Sequence, residues 1–140
     1  MAIKTPFVAV DGIIKVFDEK GLRGVVLIER KNPPVGLALP GGFVEVGERV
    51  EESLKREMKE ETGLDVEIER LFGVYSDPRR DPRFHTVSLT FICQAYGEPK
   101  GGDDAKRAFI YPLEEIPWGQ LVFDHAKILE DFLYGKSCCR

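Results

Sequence analysis

Arg56-Glu57-Met58-Lys59-Glu60-Glu61 places three carboxylates within five helical positions, inside the run GGFVEVGERVEESLKREMKEETGL (residues 41–64). The spacing predicts a helix over Val50–Thr62. The stretch holds good helix formers and no Gly or Pro, has Glu51 and Glu52 in its first turn, and is closed by Gly63. At about 100° per residue, Val50, Leu54 and Met58 form an apolar stripe. Glu51, Lys55 and Lys59 make one charged row, and Glu52, Arg56 and Glu60 another, each of mixed sign like an ordinary solvated face. Glu57 and Glu61 do not join them. They project within roughly 20° of Val50, inside the apolar stripe. Two unpaired, partly buried carboxylates would cost several kcal/mol or would protonate, on the order of magnitude set by burying a charge. A divalent cation removes that conflict, so this face reads as a carboxylate metal site rather than a plain charged helix.

Around this helix the chain has the proportions of one domain over residues 1–140, large enough for a real core. An apolar share of 43% and a charged share of 31% describe a globular chain, not a disordered one. The net charge of −4 argues against a nucleic-acid backbone as partner. The start, MAIKTPFVAVDG, has no signal-peptide pattern, and no segment reaches the length of a membrane span. Cys93, Cys138 and Cys139 suit neither a disulfide framework nor zinc spacing, and Cys93 reads as a buried core thiol; a reducing cytoplasm fits. Asn and Gln together number three, a composition shared with thermophile proteins.

PFVAVDGIIKVF and GVVLIER predict two strands joined by a turn around Asp18–Gly24. A Pro- and Gly-containing loop leads to LALPGGFVEVGE and the helix. DVEIERLFGVYS, HTVSLTFICQAYG and AFIYPL predict three more strands, and FDHAKILEDFLYG a second helix ending at Gly135. Strands mixed with two well-separated helices imply an α/β fold, a mixed sheet with a helix on each face.

Gly42, Glu48 and the run Arg56-Glu57-Met58-Lys59-Glu60-Glu61-Thr62-Gly63-Leu64 together resemble the complete Nudix box, and the flanking LPGG (residues 39–42), PLEEIPW and FDHAKIL segments extend the likeness over nearly the whole chain. The resemblance implies an α/β/α sandwich and hydrolysis of a nucleoside diphosphate linked to another group. It implies Mg²⁺ or Mn²⁺ held chiefly by Glu57, Glu60 and Glu61, with Gly41 also in the metal set. A small-molecule nucleoside diphosphate derivative is then the expected partner, and family habit implies a homodimer. Hard oxygen donors without His or Cys independently favour those ions over zinc. Gly41 and Gly42 let the backbone approach the helix start and the diphosphate, or form a simple turn. Arg56 reads as orienting a box carboxylate. Glu48 is a metal-shell residue or the helix's dipole partner.

Residues 75–85, YSDPRRDPRFH, resemble the ADP-ribose pyrophosphatase group, with Pro78 about fifteen residues past the box. Arg79, Arg80 and Arg83 there offer forked donors to phosphate or ribose; the alternative is a solvated turn whose arginines pair with Asp77 and Asp81. Pro78, Arg79 and Arg83 are the substrate candidates, and His85 reads as structural. The chain departs from the family at Leu37, where many relatives have Trp, and at Arg107, where many have a Glu that serves as base or extra ligand. Asp103, Asp104 and Glu61 are the remaining candidates for the base. The reading is an ADP-ribose hydrolase yielding AMP and ribose 5-phosphate. The alternatives are a nucleoside triphosphate or dinucleoside polyphosphate hydrolase and, in another class, a non-catalytic nucleotide sensor, against which the intact box argues.

Overall fold

A computed structural model describes residues 2–102 and 105–135. Its strands are β1 (Phe7–Asp18), β2 (Gly21–Arg30), β3 (Leu37–Ala38), β4 (Gly41–Phe43), β5 (Glu67–Tyr75), β6 (Thr86–Tyr96) and β7 (Ala105–Tyr111), with helices α1 (Val50–Thr62) and α2 (His125–Tyr134). The strands form one sheet in the order β3-β2-β1-β6-β5, with β4 added on β1 and β7 on β2. β1 and β6 run parallel and the other pairs antiparallel, so the sheet is mixed as expected.

The near-continuous apolar runs of β1, β2 and β6 follow from burial on both faces. Side chains alternate along a strand, so Val10, Ile14 and Val16 of β1 pack toward Leu54 and Met58 of α1. Ile13, with Val25, Leu27 and Ile92, packs toward Ile128 and Leu129 of α2. Cys93 lies in the α1 layer with no exposure, and burial pushes its thiol up to about 12. α1 has the predicted bounds: the Arg49 amide donates to Glu52 Oε1 at its start, and Gly63 (φ 74°) donates its amide to the Lys59 carbonyl at its end. Among the described residues, no helix is long and apolar enough to cross a membrane.

Three boundaries differ from expectation. The β1–β2 turn needs only Glu19 and Lys20, because β2 begins at Gly21. LALPGGF is two short strands interrupted at Leu39-Pro40, since proline has no amide to donate to a ladder. β7 starts three residues earlier than AFIYPL, at Ala105, where its pairing with Arg30 crosses an irregularity in the register.

Candidate active site

The β4–β1 register sets Gly41 opposite Asp11 and Gly42 opposite Val10, which brings the Gly-Gly turn onto the flank of α1. A β-carbon on residue 42 would stand 1.3 Å from Glu57 Oε2, and one on residue 41 would stand 2.2 Å from Asp11 Oδ1. At residue 41 the obstruction includes the Val10 carbonyl as well as Asp11, so no side chain fits, whereas at residue 42 a side chain would have to displace the Glu57 carboxylate. The Gly41 amide donates to Glu61 Oε1 at 2.7 Å, so the turn also orients the last box glutamate.

Along α1 the predicted division of charges holds in part. Glu61 is buried, Glu57 half-buried and Glu60 exposed. Arg56 gathers three acidic partners: Nε and Nη2 donate to Glu48 at 2.7 and 2.9 Å, and Nη1 donates to Glu57 at 2.8 Å and Glu60 at 3.1 Å. Glu48 is thus an Arg56 partner. That hydrogen bond, chiefly, lowers its carboxyl to about 2. Glu52, predicted in the same row, instead caps the Arg49 amide.

Glu57 behaves oppositely. Burial first, and a hydrogen bond shared with Glu60 second, raise its carboxyl to about 8 against the lowering effect of Arg56. The apolar surroundings and the like charge are the conflict foreseen from the helical wheel. Among the described residues no three acidic, histidine or cysteine side chains converge into a ready-made cation cage; Arg56 and the Gly41 amide engage the box carboxylates. The donor chemistry nonetheless fits a hard divalent ion. Glu57, Glu60 and Glu61 supply only oxygen, and Gly42 leaves the space that a Glu57 carboxylate needs.

Glu57, Glu61, Gly41 and Gly42 line a cleft of ≈ 180 Å³ together with Arg83 and Phe123. Arg83 is held from below: its Nε and Nη2 donate to Asp81 at 3.0 and 2.9 Å, and its guanidinium lies 5.7 Å from the Phe43 ring centre and 5.3 Å from that of Phe123. Arg83 thus pairs with Asp81, as the turn reading expects, while also lining the cleft. Arg79 does not line it; this side chain is 90% exposed and pairs with Asp77. Pro78 is an exposed turn residue outside the cleft lining. His85 contacts the Ser76 carbonyl at 3.0 Å, a structural role. Asp103 and Asp104 lie outside the described residues. Arg107, at the position of the family's glutamate, pairs with Glu29 at 3.2 Å.

Lining the cleft as well is a polar network in which Arg80, a possible forked donor to substrate on the sequence, directs its donors to the protein, and in which Asp11, Thr86, Asp124 and His125 had no expected role. Arg80 is buried and donates to Asp124 at 3.0 and 2.7 Å and to Thr86 Oγ1 at 2.7 Å. Burial opposes its charge, yet Asp124 and Asp11 raise its pKa overall. Burial raises the carboxyl of Asp11, although Arg80 and a hydrogen bond from Ser88 oppose the shift. His125 accepts the Leu39 amide at Nδ1 (2.9 Å), so its proton sits on Nε2, 3.8 Å from Asp11. A charged residue inside the apolar run VAVDGII was the available signal for Asp11.

Comparison with known proteins identifies the relatives of the chain. The chain is 52% identical over 135 residues to an ADP-ribose pyrophosphatase of Methanocaldococcus jannaschii, an alignment covering 94% of this chain and 76% of that protein. Its fold matches the NUDIX domain of Shewanella oneidensis NrtR, crystallised with ADP ribose (TM-score 0.81, 22% identity, 95% of this chain and 90% of that one). It also matches a bifunctional NMN adenylyltransferase/ADP ribose pyrophosphatase of Francisella tularensis, complexed with AMP and a manganese ion (TM-score 0.80, 26% identity, 98% of this chain and 44% of that one). The family model described as NUDIX domain matches residues 6–132, and the chain belongs to that family.

Proposed function

We propose that this protein is a Mg²⁺- or Mn²⁺-dependent pyrophosphohydrolase that cleaves the diphosphate of ADP-ribose to AMP and ribose 5-phosphate. The observation that carries the reading is the cleft whose lining joins Glu57 and Glu61, set by the Gly41–Gly42 turn, with Arg83. The similarity to an ADP-ribose pyrophosphatase supports this substrate over triphosphates and dinucleoside polyphosphates.

Glu57, Glu60 and Glu61 would hold the divalent ion. When bound, such an ion neutralises charge on the diphosphate and lowers the pKa of an attacking water. The protein's own contribution is placement. Arg56 holds Glu57 and Glu60 in fixed orientation, and the Gly41 amide does the same for Glu61. Arg83, braced by Asp81, presents positive charge to the cleft, where a phosphate or ribose oxygen can accept from it. Glu61, already oriented and lining the cleft, is the candidate among the described residues to take a proton from water.

The test is a hydrolysis screen of ADP-ribose, ATP, dGTP and diadenosine tetraphosphate with Mg²⁺ or Mn²⁺. ADP-ribose should give the highest kcat/KM. A clear preference for a triphosphate or a diadenosine compound would replace the substrate while leaving the family untouched.

A further inference from the structure

We infer that the Phe123 ring is the stacking platform for the substrate's nucleobase, which places the adenine at the Arg30–Asn32 end of the cleft and the diphosphate at the glutamate end. The inference rests on the ADP-ribose reading and adds to it a direction of binding.

Phe123 is the one non-glycine residue with positive φ (58°) among those described. A bulky side chain in that region is strained, and such strain persists where the surroundings over-determine it, often at ligand clamps. The surroundings here are specific. Asp124, the next residue, is gripped by both arms of the buried Arg80 guanidinium, and Val122 donates its amide to the Leu37 carbonyl at 2.9 Å. The backbone is thereby pinned on either side of Phe123, and the ring is delivered to the cleft wall.

The ring's neighbours suit a flat, electron-rich heterocycle. The Arg30 guanidinium lies 5.0 Å and the Arg83 guanidinium 5.3 Å from its centre. Arg30 is itself held in place, with Nε donating to the Pro34 carbonyl at 2.8 Å. Aromatic rings and guanidinium planes are the two groups on which single nucleobases commonly stack. Asn32, two residues along the chain from Arg30 and also in the lining, carries a donor and an acceptor on one amide, the pair that matches an adenine edge. The other phenylalanine of the lining, Phe43, packs with Phe7 and Phe84 at ring separations of 5.7 and 5.9 Å, while Phe123 has the His125 ring 5.2 Å from its own. With the base on Phe123, the diphosphate extends toward Glu57 and Glu61, and the terminal ribose lies beyond it.

The simpler role for Phe123 is packing, since its ring also covers the small apolar cluster of Ile28, Ala38 and Ala105. Binding of the two products separates the roles. Phe123→Gly removes the ring and suits the positive φ, so the backbone tolerates it; Phe123→Tyr keeps the ring. AMP and ribose 5-phosphate are titrated separately by calorimetry into the full chain with Mg²⁺, alongside ADP-ribose hydrolysis by the unmodified protein. Phe123→Gly should weaken AMP by about 10- to 100-fold and leave ribose 5-phosphate within about twofold, with Phe123→Tyr near the original for both. Equal losses for both products, or unchanged AMP affinity in a protein that hydrolyses ADP-ribose, would overturn the platform alone. If the unmodified protein neither binds AMP nor hydrolyses ADP-ribose, the substrate reading falls, and the binding direction falls with it.

Discussion

Gly42 and Glu57 occupy one volume: the carboxylate of Glu57 fills the place where a side chain on residue 42 would begin. Fifteen residues apart in sequence, they are brought together by the pairing of β4 on β1 and the packing of α1 on the same sheet. The absence of a side chain at position 42 is therefore a condition for the orientation of a box glutamate.

Gly42→Ala should accordingly disable catalysis more than folding. The obstructed atoms are the far end of a Glu side chain, which can swing aside, so the thermal midpoint should fall by only a few degrees, the scale of about 1 kcal/mol. A displaced Glu57 should cost kcat on the order of a hundredfold. Thermal unfolding and ADP-ribose turnover on the same preparation check both parts.

Glu57→Gln or Glu61→Gln should each lower kcat by on the order of a hundredfold or more, as loss of one electrostatic stabiliser does. Folding should persist, because an amide keeps the size of the carboxyl and an acceptor for the Arg56 or Gly41 donor. Near-full Mg²⁺-dependent turnover in either variant would place the metal site elsewhere.

Arg83→Ala should raise KM for ADP-ribose more than it lowers kcat, because a contact made equally in ground and transition states is lost. It also strips the buried Asp81 carboxylate of its forked partner, so a stability loss of about 1–3 kcal/mol should accompany it. An unchanged KM with that stability loss would assign Arg83 to the turn alone.

Arg80→Ala should be the most destabilising change in the loop, at about 3–5 kcal/mol, since it leaves Asp124 without its bidentate partner beneath the cleft. Arg79→Ala, at an exposed pair, should fall within about 0.5 kcal/mol of the original. Denaturant unfolding of the two variants makes the comparison directly.

His125 predicts an acid limb in stability. Burial, the largest effect, lowers its pKa to about 3, whereas the unfolded chain titrates near the ordinary 6.5. Between those values the unfolded state binds the extra proton, so this contribution is complete above about pH 6.5 and is lost as pH falls toward 3. His125→Asn, which retains an acceptor for the Leu39 amide, should flatten that limb. A stability–pH profile with the same slope in both proteins would remove His125 as its source.

The bounds of α1 and the placing of Glu57 and Glu61 toward its apolar side were legible in the sequence because both rest on local periodicity. Apolar and charged residues at a 3.6-residue period define a helix face wherever that helix goes, and Gly63 ends it by its own backbone freedom. The conflict at Glu57 was visible for the same reason. Which arginine of SDPRRDPRFH serves the cleft was not. Arg79, Arg80 and Arg83 have similar local chemistry, and only the third dimension makes the first solvated, the second a buried clamp on Asp124 and the third a cleft wall. Asp11, Phe123 and His125 belong to the same class. Their roles arise from β1, the start of α2 with the segment before it, and the Leu39–Gly42 turn meeting across more than eighty residues, a convergence that depends on strand register and packing, which no short window of sequence encodes.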